Sequence, residues 1–175
     1  MSRTGYANGT TVSAEKSRGE IEQLVQKYAG RDADFSYGRM GGNAGISFVA
    51  KGRRVQFAMP MPSSAEADAG AKRKGSWRTA TAAQRETWLE QETRRRWRCL
   101  LLIIKAKFAA VEIWEELGDK EKAKTAFERE FLSDIVTPSG PSIYDAIQRV
   151  ASDGLRLLPA VESGAKVLEI GARKP

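Results

Sequence analysis

Apolar residues recur along this chain at two different periods. Ile21, Leu24, Val25 and Tyr28 share one face of a helix that Ser13 can cap, and Gly30 follows where that helix would stop. From Phe35 the period falls to two. Phe35 and Tyr37 alternate in a first strand, Ile46, Phe48 and Ala50 in a second after "GGN", and Val55, Phe57 and Met59 in a third after Gly52. Turns this short predict an antiparallel meander. Its other face carries Ser47, Arg54 and Gln56, so one side is expected to be covered by helices and the other to meet solvent or a partner.

Periodicity is then lost. Residues 60–81, "PMPSSAEADAGAKRKGSWRTAT", are rich in Pro, Gly, Ser and Ala and predict a long basic loop, ended by a capping box at Thr81 and Gln84. Loops of that length without structure of their own are uncommon inside a domain and tend to be functional or disordered. A helix over about 82–117 follows. Placed at about 100° per residue, Arg94, Arg98, Lys105, Glu112 and Glu116 form one narrow charged stripe, while nearly everything else from Leu100 to Leu117 is apolar. This predicts a central buried helix with a single wet edge. Arg95, Arg96 and Lys107 fall outside that stripe, where an unpaired charge would be expensive. If the first turns project beyond the core, Arg95 and Arg96 form a cationic knob with Trp97, whereas Lys107 can snorkel.

Gly118 ends the long helix, and "DKEKAKTAFEREFLSDIV" starts another with Ala123, Phe127, Phe131 and Ile135 on its buried side. After "TPSGPS", Ser142 and Asp145 suggest a further cap, with Ile143, Ile147 and Val150 lining a shorter helix. The fold class expected is therefore α+β: an N-terminal helix, a three-stranded antiparallel meander, a long central helix and further C-terminal helices. Residues 1–12 are expected to be flexible and residues 1–175 to make a single domain, as suits a chain of 175 residues.

Charge changes the picture because it is uneven. Residues 51–98 hold twelve Lys or Arg against five Asp or Glu, while the rest of the chain holds seventeen of each, so the whole net charge of +7 lies in that segment. Residues 112–134 lean the other way, with eight acids against four bases. A basic excess gathered in one segment is the footprint expected for a polyanion, nucleic acid above all. The candidate contacts are Arg53, Arg54, Lys72, Arg73, Lys74, Trp77, Arg78, Arg94, Arg95, Arg96, Trp97 and Arg98, the cations for phosphates or for an acidic protein partner and Trp77 for stacking on a base.

Catalytic chemistry finds little here. The chain has no histidine, which removes the commonest general base, the Ser-His-Asp and Cys-His arrangements and imidazole metal sites. No GxxxxGK[ST] loop occurs and no GxGxxG follows a strand. Asp32 and Asp34 could hold Mg²⁺ but read as a solvated turn, and Glu112, Glu115, Glu116 and Asp119 read as an ordinary charged face. A non-enzyme without cofactor or metal is expected. The single cysteine, Cys99, reads as a small core residue, and it cannot form an internal disulfide. The longest apolar run, Cys99 to Ile104, falls short of the roughly 18 residues a membrane helix needs, and the cytoplasm is the expected location.

Two resemblances bear on function. The order helix, three antiparallel strands, helix is similar to a double-stranded-RNA-binding domain, and "KAKFAA" at 105–110 resembles that family's lysine-rich second helix, although Lys105 and Lys107 lie deep within this one and the family's histidine loop is absent. Separately, "SAEKSRGEIEQLVQKY", "KGRRVQFAMPMP", "RRWRCLLLIIKAKFAAVE" and "FEREFLSDIVTPSG" together resemble a group of small proteins encoded in bacteriophage and prophage genomes. That resemblance implies a phage-derived protein acting in the bacterial cytoplasm. It suits a non-enzymatic nucleic-acid-binding accessory protein of phage replication or recombination. The alternative is a protein-binding inhibitor of a host defence complex, such as a CRISPR effector, with a homo-oligomer compatible with either. The tail "AKVLEIG" could add to a sheet edge or tether a neighbouring subunit.

Overall fold

The computed structural model describes residues 6–30, 33–40, 43–71, 79–118, 120–138 and 140–152. In chain order they form α1 (Ala14–Ala29), β1 (Ser36–Met40), β2 (Asn43–Ala50), β3 (Arg53–Pro60), α2 (Ser64–Gly70), α3 (Ala82–Glu116), α4 (Lys120–Phe131) and α5 (Ile143–Ser152), an α+β fold. The Ser13 hydroxyl caps α1 by accepting from the Lys16 amide at 3.1 Å. Gly30 ends it at φ 86°, a conformation that glycine adopts freely.

The three strands pair antiparallel in the order β1-β2-β3. Lys51 and Gly52, both at positive φ, make the two-residue turn between β2 and β3, the backbone that matches strand twist in a tight hairpin. Ile46 and Phe57 are paired, as are Phe48 and Val55, and all four are buried. Tyr37, expected to share their burial, pairs with Ile46 but is exposed, because it lies at the sheet's edge under the Arg18 guanidinium.

The other edge of the sheet is closed by a distant segment. Gln56 donates to the Asp134 carbonyl at 2.8 Å and Val136 donates to the Arg54 carbonyl at 3.0 Å, placing Ile135 against Val55. Ile135 was expected on a helix. The helix stops at Phe131, and Ile135 is buried through this bridge instead.

α3 is the spine. Its buried side chains Trp97, Leu100, Leu101, Ile104, Phe108 and Val111 meet Ile21 and Val25 of α1, the sheet, and Phe127 and Phe131 of α4. Aromatic rings fill the centre: Phe108 lies 5.0 Å from Phe131 between centroids, and Tyr28 stacks on Phe108 at 4.6 Å. Lys107, free to snorkel by sequence, is instead held at this core's margin by Asp134 at 2.9 Å and the Glu130 carbonyl at 2.5 Å.

Two segments expected to be irregular are ordered against α3. Part of the 60–81 stretch forms α2, started by a capping box in which Ser63 accepts from the Glu66 amide and the Glu66 carboxylate accepts from the Ser63 amide. Ala67 then buries completely. Residues 6–12, expected to be flexible, are tied to α3 by Gln91, which donates to the Thr10 carbonyl at 3.1 Å. The expected basic end of the loop, Lys72 to Arg78, lies outside the described residues, as do Asp32 and Asp119.

Candidate nucleic-acid interface

The cationic candidates on α3 and β3 are placed by regular elements, so their partners can be read one by one. Thr81 and Gln84 close a reciprocal capping box at the start of α3, which fixes the helical register of everything after it. In that register Arg94 reaches back to Glu90, Arg95 to Glu92, and Arg96 to Glu92 at 3.1 Å. Arg96 extends further, to Glu66 of α2 at 2.8 Å and to the Pro60 carbonyl at 2.6 Å. Arg98 turns to α1 and meets Glu20 at 2.7 Å.

The sheet candidates are equally engaged. Arg54 pairs with Asp34 at 2.7 Å and donates to the Ser47 hydroxyl at 3.3 Å, which satisfies the buried serine on the sheet's outer face. Arg53 pairs with Glu128 at 3.0 Å, and Lys51 beside it with Glu115. Arg85 meets Asp68 at 3.0 Å.

The projecting knob of Arg95, Arg96 and Trp97 is therefore absent. Trp97 is buried, 5 % exposed, with Arg18 over its ring at 5.3 Å. The Arg96 side chain is 15 % exposed and Glu92, which it shares with Arg95, 14 %. The physical reason is compensation: α2 packs beside this part of α3 and supplies the carboxylate that makes a half-buried guanidinium tolerable. Charge titration follows from the same contacts. Arg95 and Arg96 hold the Glu92 carboxyl below its ordinary value against the opposing effect of burial, and Glu92 in turn raises Arg95. Glu66 is lowered by the Ser63 amide and then by Arg96.

Each of the eight basic side chains described within 51–98 thus has a carboxylate partner in the fold, four of those carboxylates (Glu20, Asp34, Glu115 and Glu128) coming from outside that segment. The four remaining bases of the segment are Lys72, Arg73, Lys74 and Arg78. They and Trp77 link Ala71, just after α2, to Thr79, just before α3. The end of α2 and the start of α3 form an open groove of about 470 Å³, lined by Ala71, Ala83, Gln84, Thr87 and Trp88 among others. The Trp88 ring lies against the Gly70 backbone so closely that a Cβ at Gly70 would fall 2.3 Å from it.

Three of the acidic candidates, Asp34, Glu112 and Glu115, are engaged by the fold. Glu112 accepts from the Tyr28 hydroxyl at 2.7 Å and pairs with Lys27, and Tyr28 is the larger cause of its lowered pKa. No group of three or more cysteines or carboxylates able to hold a metal ion occurs among the described residues. None of their helices is long and apolar enough to cross a membrane.

Sequence reasoning missed two features. Ser63 and Glu66 carry the cap signature of α2 but lie in a stretch whose composition signals a loop. The other is the outward face of α3, where Ile103, Ile113 and Leu117, expected to be buried, are exposed. Cys99, the expected core residue, is on this face too and only partly covered, its thiol 3.8 Å from the Tyr6 carbonyl. No protein-family model matches the chain, no curated protein is detectably similar to it, and no solved structure matches it.

Proposed function

We infer that this chain is a non-enzymatic nucleic-acid-binding accessory protein, of the kind that phage replication or recombination employs, with Lys72, Arg73, Lys74 and Arg78 contacting phosphates and Trp77 stacking on a base. One observation supports this narrower interface: all eight described cations of the basic segment are already matched to carboxylates of the fold, which turns the search for phosphate contacts to the four that remain. The arginines of α3 and β3 then act as scaffold. The pairs of Arg85 with Asp68 and of Arg96 with Glu66 hold α3 to α2, the two helices that follow and precede residues 72–78 in the chain. Fluorescence anisotropy of labelled single- and double-stranded DNA and RNA, titrated with the purified protein across salt concentrations, tests the proposal. Binding that weakens steeply with salt, and that is lost when the four residues are replaced together by glutamine, is the expected result. Salt-insensitive or absent binding would overturn it.

A second reading is a protein-binding inhibitor of a host defence complex such as a CRISPR effector. It is favoured by Tyr144 and Ile147, three residues apart on α5 and both exposed, which offer an aromatic and an aliphatic anchor on one helix face. Copurification of a nucleic-acid-processing complex with the tagged protein, lost on Tyr144→Ala, would favour this reading over the first.

A further inference from the structure

The outward face of α3 is apolar without interruption for five turns. Cys99, Leu102, Ile103, Ala106, Ala109, Ala110, Ile113 and Leu117 fall within one sector of the helix, opposite the buried line of Trp97, Ile104, Phe108 and Val111. Among them Ile103, Ala106, Ala109, Ile113 and Leu117 are exposed, with Ile113 54 % and Leu117 67 % accessible. A continuous uncharged strip of this kind on a chain with 29 % charged residues marks an interaction surface.

The order of residues along the strip selects the partner. Cys99 and Leu117, Ile103 and Ile113, and Ala106 and Ala110 are each placed symmetrically about position 108. Larger side chains thus stand at both ends and alanines in the middle. A second copy of α3 laid antiparallel, with its twofold axis at 108, would bring Ile113 against Leu102 and Ile103 of the partner while the alanines allow the helices to approach closely.

Charge on the flank agrees with this arrangement. Beside the strip runs a row that is basic in its first half, Arg98 and Lys105, and acidic in its second, Glu112 and Glu116. In an antiparallel pair equivalent flanks adjoin, so Lys105 comes level with Glu112 of the other copy and Arg98 with Glu116. In a parallel pair the row would instead adjoin the opposite flank of the partner helix, where Arg96 and Lys107 stand, so Arg98 and Lys105 would meet like charge. Lys105 and Glu116 are exposed and enter no ion pair among the described residues, so each is available to extend the Glu112–Lys27 or the Arg98–Glu20 pair of the other copy. We propose that the protein forms a twofold-symmetric homodimer through the outward face of α3, the two helices antiparallel with the twofold axis at the level of position 108. This goes beyond the nucleic-acid reading and stands whether or not that reading holds.

Sedimentation equilibrium of the full-length protein without nucleic acid, from about 1 to about 100 µM, tests the proposal across the range where a single helix pair associates. The mass should rise from 19.3 kDa towards twice that value. Ile103→Glu and Ile113→Lys, both at exposed positions, should each leave the circular-dichroism spectrum unchanged and weaken association at least about tenfold. Mixed in equal amounts, the two variants should recover dimer, because only the antiparallel register sets Glu at 103 of one chain against Lys at 113 of the other. A monomer at every concentration would overturn the proposal, as would a dimer indifferent to both substitutions or a mixture that fails to recover it.

Discussion

Arg96 on α3 donates to Glu66 on α2 at 2.8 Å, and the same guanidinium reaches the Pro60 carbonyl at the end of β3. One side chain therefore joins three elements. Arg96→Ala would leave the largely buried Glu92 with Arg95 alone and strip the Pro60 carbonyl of its donor, a loss expected to cost about 1–3 kcal/mol in urea unfolding. Arg94→Ala, which removes only a surface pair with Glu90, should change stability by less than about 0.5 kcal/mol. Equal effects of the two would refute the scaffold role of Arg96.

Acid should loosen the same region. The carboxyls of Glu92 and Glu66 are held below their ordinary value of 4.5 in the folded protein. A group whose folded pKa is depressed contributes stability that is complete above its unfolded pKa and is lost as pH falls through the folded one. Melting temperature should thus stay level above about pH 5 and decline below 4.5. Glu92→Gln should lower the plateau and flatten the decline, a comparison that thermal melts between pH 3 and pH 7 would settle at about half-unit steps.

Charge and stacking can be separated at the proposed interface. Four phosphate contacts give a log-log salt slope of about 3, and Trp77→Ala should cost about 1–3 kcal/mol of binding while leaving that slope unchanged. Trp97→Ala should do the opposite kind of damage. Its ring is buried, so truncation is expected to cost about 3–5 kcal/mol of folding stability. Anisotropy titrations and urea melts on both variants distinguish the two tryptophans, and a Trp77 variant with a shallower salt slope would contradict stacking.

Gly70→Ala tests how α2 is seated. The added methyl would meet the Trp88 ring at 2.3 Å, so either the indole or the helix must move. Overpacking of this order costs about 1–3 kcal/mol. A shift in tryptophan emission together with faster proteolysis between α2 and α3 is the expected outcome. Unchanged emission and proteolysis would mean that the close contact of Gly70 with Trp88 is not maintained in solution.

What the sequence made legible was local. Ser13 with Gly30, and Thr81 with Gln84, announce helix ends within a few residues of themselves, and strict alternation from Ile46 to Met59 announces strands. Partners of Arg54, Arg96 and Arg98 come from positions 34, 66 and 20, each at least twenty residues away along the chain. A run of arginines reads as a charged surface until the fold supplies those carboxylates. The exposure of Ile103, Ile113 and Leu117 was hidden for a related reason: an apolar helix suggests burial all round, but α1, the sheet and α4 surround only part of this cylinder. Ser63 and Glu66 were readable in principle, and the glycine- and alanine-rich stretch that follows obscured them.

The bridge between Val55 and Ile135 has a kinetic meaning. The meander and the long helix are assembled from contacts near in sequence, whereas this seal joins residues eighty positions apart and must wait for α4 to dock. During that interval β3 presents a bare edge with apolar Val55 and Phe57 beside it, the combination from which strands recruit other chains. Refolding yield should consequently fall as protein concentration rises. A chain cut after residue 131 would keep its hydrophobic spine but never close that edge, and association through β3 would become its resting condition rather than a passing hazard.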